Sequence, residues 1–365
     1  MNKKLKAVFT MVAGTIGVGF LALPYSIYKF GTFWGIGCLV LVSLLTLVGN
    51  LAYSSIVLKD KGNKQLPGYT NKYLNYSLSH IVTFIVIIGS FGILLAYSIL
   101  AGESLRFLVG NFNINLSASF LGLLFVMISI FVMKYGMKVI SRISTLAIVI
   151  IISSIILLVA ISIPEISSDN ISSLNWNYFS LIFGVSIFAM FSVTTVPVID
   201  EIIGYNKKDY NVVVSVSTII TAFIYIIFGL VLTLAFGDNL TSTLIDSFGA
   251  KYIFLSNILS VLTLFAIFTS FILIANNIKE ILNYDYKLSP KVSVLVITTI
   301  LIWLMVFSFL DFETLLSLVG NFSMVLQYII IFCIWFIIKK EASWIYKVIV
   351  IISAIALSFG IFIQI

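Results

Sequence analysis

Of the 365 residues, 61% are hydrophobic and only 10% are charged, which excludes both a soluble globular domain and a disordered chain. The net charge of +7 is spread along the chain rather than gathered into one basic patch, so a nucleic-acid partner is excluded as its cause. One histidine and two cysteines leave no metal-ligand or catalytic spacing, and Cys38 and Cys333 both fall in apolar segments where small buried hydrophobes are expected.

Crossing about 30 Å of hydrocarbon takes roughly 20 apolar residues in a helix. By that measure the chain is all-α and polytopic, with eleven spans predicted near 7–30, 33–58, 81–109, 116–134, 139–163, 178–203, 211–236, 253–283, 291–309, 313–338 and 344–364. It reads as a single transmembrane domain over 1–365. Inverted repeats of about 7–163 and 178–338 are expected, followed by the additional helix 344–364. Met1 to Pro24 has the basic start and apolar core of a signal peptide but no small-x-small cleavage site, and is read as the first span.

That span contains Gly14-Thr15-Ile16-Gly17-Val18-Gly19-Phe20-Leu21-Ala22-Leu23-Pro24. In hydrocarbon each unpaired backbone group costs several kcal/mol, so a glycine-broken stretch survives only where it is buried in protein or lines a polar cavity. Secondary transporters use broken helices in this way. The alternative is that Gly14, Gly17 and Gly19 only allow close helix packing.

Farther along, the longest polar connection, about Lys59 to His80, reads as a cytoplasmic loop. In span three, Glu103 and Arg106 stand three apart, where they can pair near the outer end as a structural pair, with a gate as the alternative. Span six is polar and β-branched in its middle, from Ser192 to Val196, and carries Pro197 next, which removes a backbone donor and frees a carbonyl near Val193. Asp200 and Glu201 then close the span as a solvated helix end, with an inner gate as the alternative.

Of the 21 Lys and Arg residues, all but Lys29, Arg106 and Lys251 fall on the side of the N-terminus when spans alternate. This positive-inside skew places the N-terminus in the cytoplasm and supports the span count.

These motifs carry a family resemblance. The glycine-rich opening with Leu23-Pro24-Tyr25, the string Tyr97 to Leu105, Phe188-Ala189-Met190 followed by Val196-Pro197-Val198-Ile199-Asp200-Glu201, and Phe236-Gly237-Asp238 resemble the amino acid/auxin permease family, near the hydroxy- and aromatic-amino-acid permeases of the amino acid–polyamine–organocation superfamily. Phe265 to Phe271 is similar to the corresponding helix of sodium-coupled members of the fold. The resemblance implies a leucine-transporter-type five-plus-five inverted repeat that moves amino acids by alternating access. It also singles out Tyr97 and Phe188 as residues that touch substrate. Relatives often carry glycines after the Phe-x-Phe region of span six, where this chain has Phe191-Ser192-Val193-Thr194, so the extent of unwinding there is open.

A zwitterion entering the membrane needs donors for its carboxylate and acceptors for its ammonium. Gly14, Thr15, Gly17, Val18 and Gly19 offer N–H groups at the start of a half-helix, whose dipole favours an anion. Carbonyls released from Phe188 through Ala189 to Phe191 are the expected ammonium acceptors, and Tyr97, Phe188, Met190, Phe191 and Ser192 are candidates for contact with the side chain. No charged residue lies mid-span to receive a charged side chain, which points to a neutral amino acid, apolar or aromatic.

Coupling needs an ion. Hydroxyls of Thr269 and Ser270 with carbonyls of Ala266, Ala13 and Ile16 form an oxygen set suited to sodium. In some relatives a lysine in span five takes the cation's place and favours protons; span five here holds only Arg142. The expectation is therefore a sodium-coupled symporter in the cell membrane, with an amino acid and the lipid bilayer as partners and no other cofactor. A proton-coupled permease and a non-transporting sensor on the same fold are the alternatives. A membrane enzyme is discounted for want of a carboxylate pair, a Ser/His arrangement or a metal cluster.

Overall fold

The computed structural model describes residues 3–60, 65–133, 151–203, 207–248, 253–284, 286–308 and 310–363. Lys61, Lys64, Lys134, Lys138, Arg142, Lys251 and the first part of span five lie outside the described residues, as do the side chains of Asp200, Glu201 and Thr269.

Proline and glycine decide where the first span stops being helical. Helix α1 (Lys3–Thr15) gives way to a 3-10 turn at Val18–Ala22 before α2 (Leu23–Phe30) resumes. Pro24 has no N–H to offer Phe20, and that carbonyl instead accepts from the Leu23 N–H in 3-10 fashion. The missing donor costs α2 nothing, because the first N–H groups of a helix have no intrahelical acceptor.

Beyond α3 (Thr32–Asp60), the short helix α4 (Leu66–Tyr73) folds back on it. Lys72 and Tyr73 both donate to the Asp60 carboxylate, the tyrosine at 2.7 Å. Burial and the Asp60 charge push the Tyr73 hydroxyl up to about 12, which keeps it a donor. There follow α5 (Tyr76–Gly110), α6 (Ala118–Val132), α7 (Ile151–Glu165) and α8 (Phe179–Met190). Next come α9 (Asp200–Ile203), α10 (Lys207–Phe236), α11 (Ile253–Tyr284) and α12 (Pro290–Phe307). The chain ends with α13 (Phe312–Leu318), a π-helical stretch at Val319–Met324, α14 (Val325–Ile338) and α15 (Trp344–Ile363).

Among the described residues, seven helices are long and apolar enough to cross a membrane, and an eighth span is added when the bent pair Lys3–Thr15 and Val18–Phe30, angled by 54°, is taken as one. Spans four, five and six appear as the shorter apolar helices Ala118–Val132, Ile151–Glu165 and Trp176–Met190. On α12 and α15 only 17% and 22% of the apolar window is buried, leaving surfaces suited to lipid rather than water.

The chain divides into two compact units, each drawing on both halves of the sequence. Unit one comprises Met1–Gly89, Ser173–Gly229 and Ser317–Ile365; unit two comprises Ser90–Ser172 and Leu230–Leu316. In unit one α3 packs on α2, α8, α14 and α15. There α8 meets the π-helical stretch backbone to backbone, since a Cβ added to Gly320 would lie 2.0 Å from the Gly184 carbonyl oxygen. Asn321 ties the same contact by donating to the Ser180 carbonyl at 2.9 Å. In unit two α11 packs on α6 and α12, with the Phe125 ring edge-on to Phe268 and Phe271.

Two side-chain expectations change. Cys38 is buried as read, but Cys333 is exposed, because it lies on the face of α14 turned from its neighbours. Glu103 forms no ion pair within 4 Å among the described residues: it hydrogen-bonds Thr243 and has Arg106, Asp246 and Glu313 as electrostatic neighbours.

The Gly184–Gly320 approach yields a direct test. Gly320→Ala is expected to destabilise the protein by about 1–3 kcal/mol through overpacking, seen as a lower melting temperature in detergent. Gly37→Ala, at an α3 position with nothing within 4 Å of an added Cβ, should leave it unchanged or slightly raised.

Candidate functional site

The site is assembled in unit one from the two places where helices lose their backbone ladder. At the first, the Ile16 N–H still reaches Val12 at 2.8 Å, but the Gly17 N–H turns back to the Thr15 carbonyl at 2.9 Å. Ala13 thus loses the donor that a continuous helix would supply. Gly17 is extended (φ −100, ψ −161), and the N–H groups of Val18 and Gly19 open the 3-10 turn, where no partner exists within the helix. The Tyr225 hydroxyl donates to the Thr15 carbonyl at 3.4 Å, and the Phe20 ring packs edge-on against Phe228 at 5.1 Å.

The second interruption is longer. Helix α8 stops at Met190, the Phe191 N–H bonds Phe188 at 3.3 Å, and Phe191 itself is extended (φ −72, ψ 118). Six residues, 191–196, then run without regular helix before a 3-10 turn at Pro197–Ile199. β-branched Val193, Thr194, Thr195 and Val196 disfavour helix, and Pro197 cannot donate to Val193. The Ser192 carbonyl gathers three donors instead: the Thr195 N–H at 2.9 Å, the Val196 N–H at 3.2 Å and the Thr195 hydroxyl at 2.7 Å. With the Phe188 carbonyl occupied, those left past the helix end belong to Ala189, Met190 and Phe191.

The two interruptions lie against each other. A Cβ on Gly14 would come within 2.1 Å of Thr195 Cγ2, and one on Gly19 within 2.7 Å of Phe188 Cδ1 and 3.1 Å of the Ala189 Cα. Gly14 and Thr194 are exposed and Gly17 and Phe191 half-buried, while Thr15, Ile16, Val18, Gly19, Phe188 and Ala189 are buried. Among the described residues, N–H groups with no helical partner in the first interruption and carbonyls past the end of α8 thus lie on facing segments.

Three neighbouring helices hold this arrangement. From α3, the Asn50 amide donates to the Ser192 hydroxyl at 2.8 Å and to Thr218 Oγ1 at 3.5 Å, and its oxygen accepts from the Tyr328 hydroxyl at 3.2 Å. Tyr328, on α14, is edge-on to Phe191 at 5.7 Å. Along α10, the Tyr210 hydroxyl donates to the Val196 carbonyl and the Ser217 hydroxyl to Val8 at 3.4 Å. Asn50 and Tyr328 were not anticipated from the sequence. A lone amide in the middle of an apolar 29-residue helix was the available signal for Asn50; Tyr328 had none among 17 tyrosines.

The remaining expected residues belong to unit two or carry over to α1. Tyr97, on α5, is buried with its hydroxyl hydrogen-bonded to the Ser270 side chain. Ala266 is buried and Ser270 half-buried on α11, which runs unbroken through both. Ala13 and Ile16 flank the first interruption, one half-buried and the other buried.

Comparison with known proteins decides the family, since residues 2–365 match the one described as transmembrane amino acid transporter protein. The chain belongs to that family. It is a multi-span membrane transporter and not an enzyme. The chain is 25% identical over 305 residues to Glutamine transporter 2 of Aliivibrio fischeri, covering 78% of this chain and 77% of the relative. A crystal structure of MhsT in complex with L-phenylalanine superimposes with a TM-score of 0.67 at 14% identity, covering 98% of this chain and 97% of that one. That neighbour has the leucine-transporter fold, so the transporter shares its architecture.

Within this transporter the contact between interruptions leaves no room for a methyl group at Gly14 unless Thr195 moves. Gly14→Ala should lower the melting temperature by forcing Thr195 aside, and adding Thr195→Ser should restore most of the loss. The double variant removes the obstructing Cγ2 while keeping the hydroxyl that bonds Ser192. Equal destabilisation of single and double variants would show that the methyl contact is not what limits the site.

Proposed function

We propose that this protein is a secondary active transporter of neutral amino acids, working by alternating access with sodium as the coupling ion. The observation that carries the reading is the apposition of two interrupted helices in unit one, Gly14 on Thr195 and Gly19 on Phe188. N–H groups at Val18 and Gly19 take the carboxylate, where the half-helix dipole favours an anion. Carbonyls past the end of α8 take the ammonium. Phe188 and Phe191 supply an apolar wall, and Tyr97 is the further substrate contact that the family resemblance implies.

Neutral substrates suit this lining because the polar groups that hold it, Asn50, Ser192, Thr218 and Tyr328, are all uncharged. The relatives agree in kind: one is named for glutamine and the other is bound to phenylalanine, both neutral amino acids. The proposal includes eleven spans with a cytoplasmic N-terminus in the plasma membrane and a five-plus-five repeat. Sodium is proposed from the sequence, where the oxygens of Ala13, Ile16, Ala266, Thr269 and Ser270 are hard ligands of the kind an alkali cation prefers. A stabilisation screen across the twenty amino acids, with and without sodium, identifies the substrate.

In proteoliposomes an inward sodium gradient is expected to drive accumulation of the stabilising amino acid, and a proton gradient alone is not. Thr269→Ala should weaken the sodium dependence while exchange persists at saturating sodium. Uptake indifferent to sodium but driven by protons would end the sodium assignment. Saturable binding without counterflow would instead identify a sensor.

A further inference from the structure

We propose that Asn50 is a positioning residue for the amino acid site, acting through Ser192 to fix the end of α8 and the turn after it. This rests on the reading of the two interruptions as the substrate site. Asn50 is fully buried in the middle of α3 and makes three hydrogen bonds, to Ser192, Thr218 and Tyr328, which belong to three different segments of unit one.

The direction of its amide is fixed by its surroundings. The Thr218 hydroxyl spends its proton on the Val214 carbonyl at 2.9 Å, so toward Asn50 it can only accept. The NH2 group must therefore face Thr218 and Ser192, leaving the oxygen for Tyr328. Ser192 is in turn the most heavily engaged residue of the interruption. Its hydroxyl is held by Asn50, its carbonyl by three donors from Thr195 and Val196, and its backbone is also hydrogen-bonded to the Tyr328 hydroxyl. A displacement of Ser192 would carry the turn with it on one side and Phe191 with the Ala189 and Met190 carbonyls on the other.

The approach of α14 to α3 is built for this contact. A Cβ on Gly49 would lie 2.3 Å from Tyr328 Cδ1, so only glycine lets the tyrosine lie against α3 beside Asn50. Once there, its ring meets Phe191 edge-on and its hydroxyl meets both Asn50 and Ser192. For stability alone a leucine, bulkier but of the same branched shape, would serve a membrane interior, since a buried amide is costly unless every bond is made. What the amide adds is direction: it selects one placement of a segment that has no ladder of its own.

The test uses the whole protein in proteoliposomes, with counterflow of radiolabelled L-glutamine and L-phenylalanine and ligand-induced thermal stabilisation in parallel. Asn50→Leu is expected to raise the half-saturating concentration of the accepted amino acid about tenfold, the usual scale for stranding buried polar partners, with the maximal exchange rate changed less than about twofold. Ser192→Ala should do the same, and the double variant should be no worse than the poorer single one, because both changes act through one contact. Should Asn50→Leu fail to fold, Tyr328→Phe carries the same expectation for affinity, since it keeps the ring on Phe191 and removes only the hydroxyl. A lowered melting temperature with unchanged half-saturation, or independent effects that multiply in the double variant, would overturn the positioning role and leave the site reading intact. A wild type that neither binds nor exchanges these two or any other neutral amino acid would overturn the site reading and this proposal with it.

Discussion

A backbone dipole left bare in hydrocarbon is costly, and the organisation of unit one follows from where such dipoles are tolerated. Each interruption satisfies part of its own need. The first closes a tight turn from Gly17 to Thr15, and the second folds three donors onto Ser192. Side chains answer part of the rest. Tyr210, Ser217, Thr218 and Tyr225 recur at seven- to eight-residue spacing along α10, which puts them on one face of that helix. From that face they reach the Val196, Val8 and Thr15 carbonyls and the Asn50 amide. One regular helix thus serves as a template for two irregular ones.

Close packing and ligand binding, the two roles open to the glycines of the first span, are not exclusive. Gly184 and Gly320 show packing alone: they bring one backbone onto another away from either interruption. Gly14 differs because it packs against Thr195 and still remains exposed. A side chain at Gly14 or Gly19 would fill the space that lets donors and acceptors from two segments meet. The same missing Cβ that permits the contact also keeps the main chain accessible.

How much of this was legible depended on the kind of signal. The first interruption was, because glycine and proline act on the backbone locally and Pro24 dictates the hydrogen-bond pattern around it. The second was foreseen through Pro197 and the polar, β-branched middle of span six, but its length of six residues was not. Val193 to Val196 are β-branched or small and polar, residues that membrane helices also accept, so only tertiary contacts such as Tyr210 on Val196 decide their conformation. Asn50 and Tyr328 lie farther still from sequence logic: their bonds span 142 and 278 positions, and no local pattern encodes such a pairing. The thiols illustrate the same limit. Apolar context was shared by Cys38 and Cys333, but burial depends on which face of a helix meets a neighbour.

The distribution of charge completes the physical picture. In unit one the described ion pairs lie near helix ends, Lys4 with Asp209 and Lys72 with Asp60, whereas the interior polar groups are amides and hydroxyls. A formal charge beside the interruptions would attract one end of a zwitterion and repel the other, and when the site is empty it would have to be desolvated or neutralised. Neutral dipoles avoid both problems. They orient the main chain at either end of the ligand without favouring a net charge, and they leave the empty site free of an uncompensated ion. On the proposed reading, a scaffold of this kind presents the same main-chain cradle to different neutral side chains, and selectivity falls to the shape of the aromatic wall rather than to the groups that hold the backbone in place.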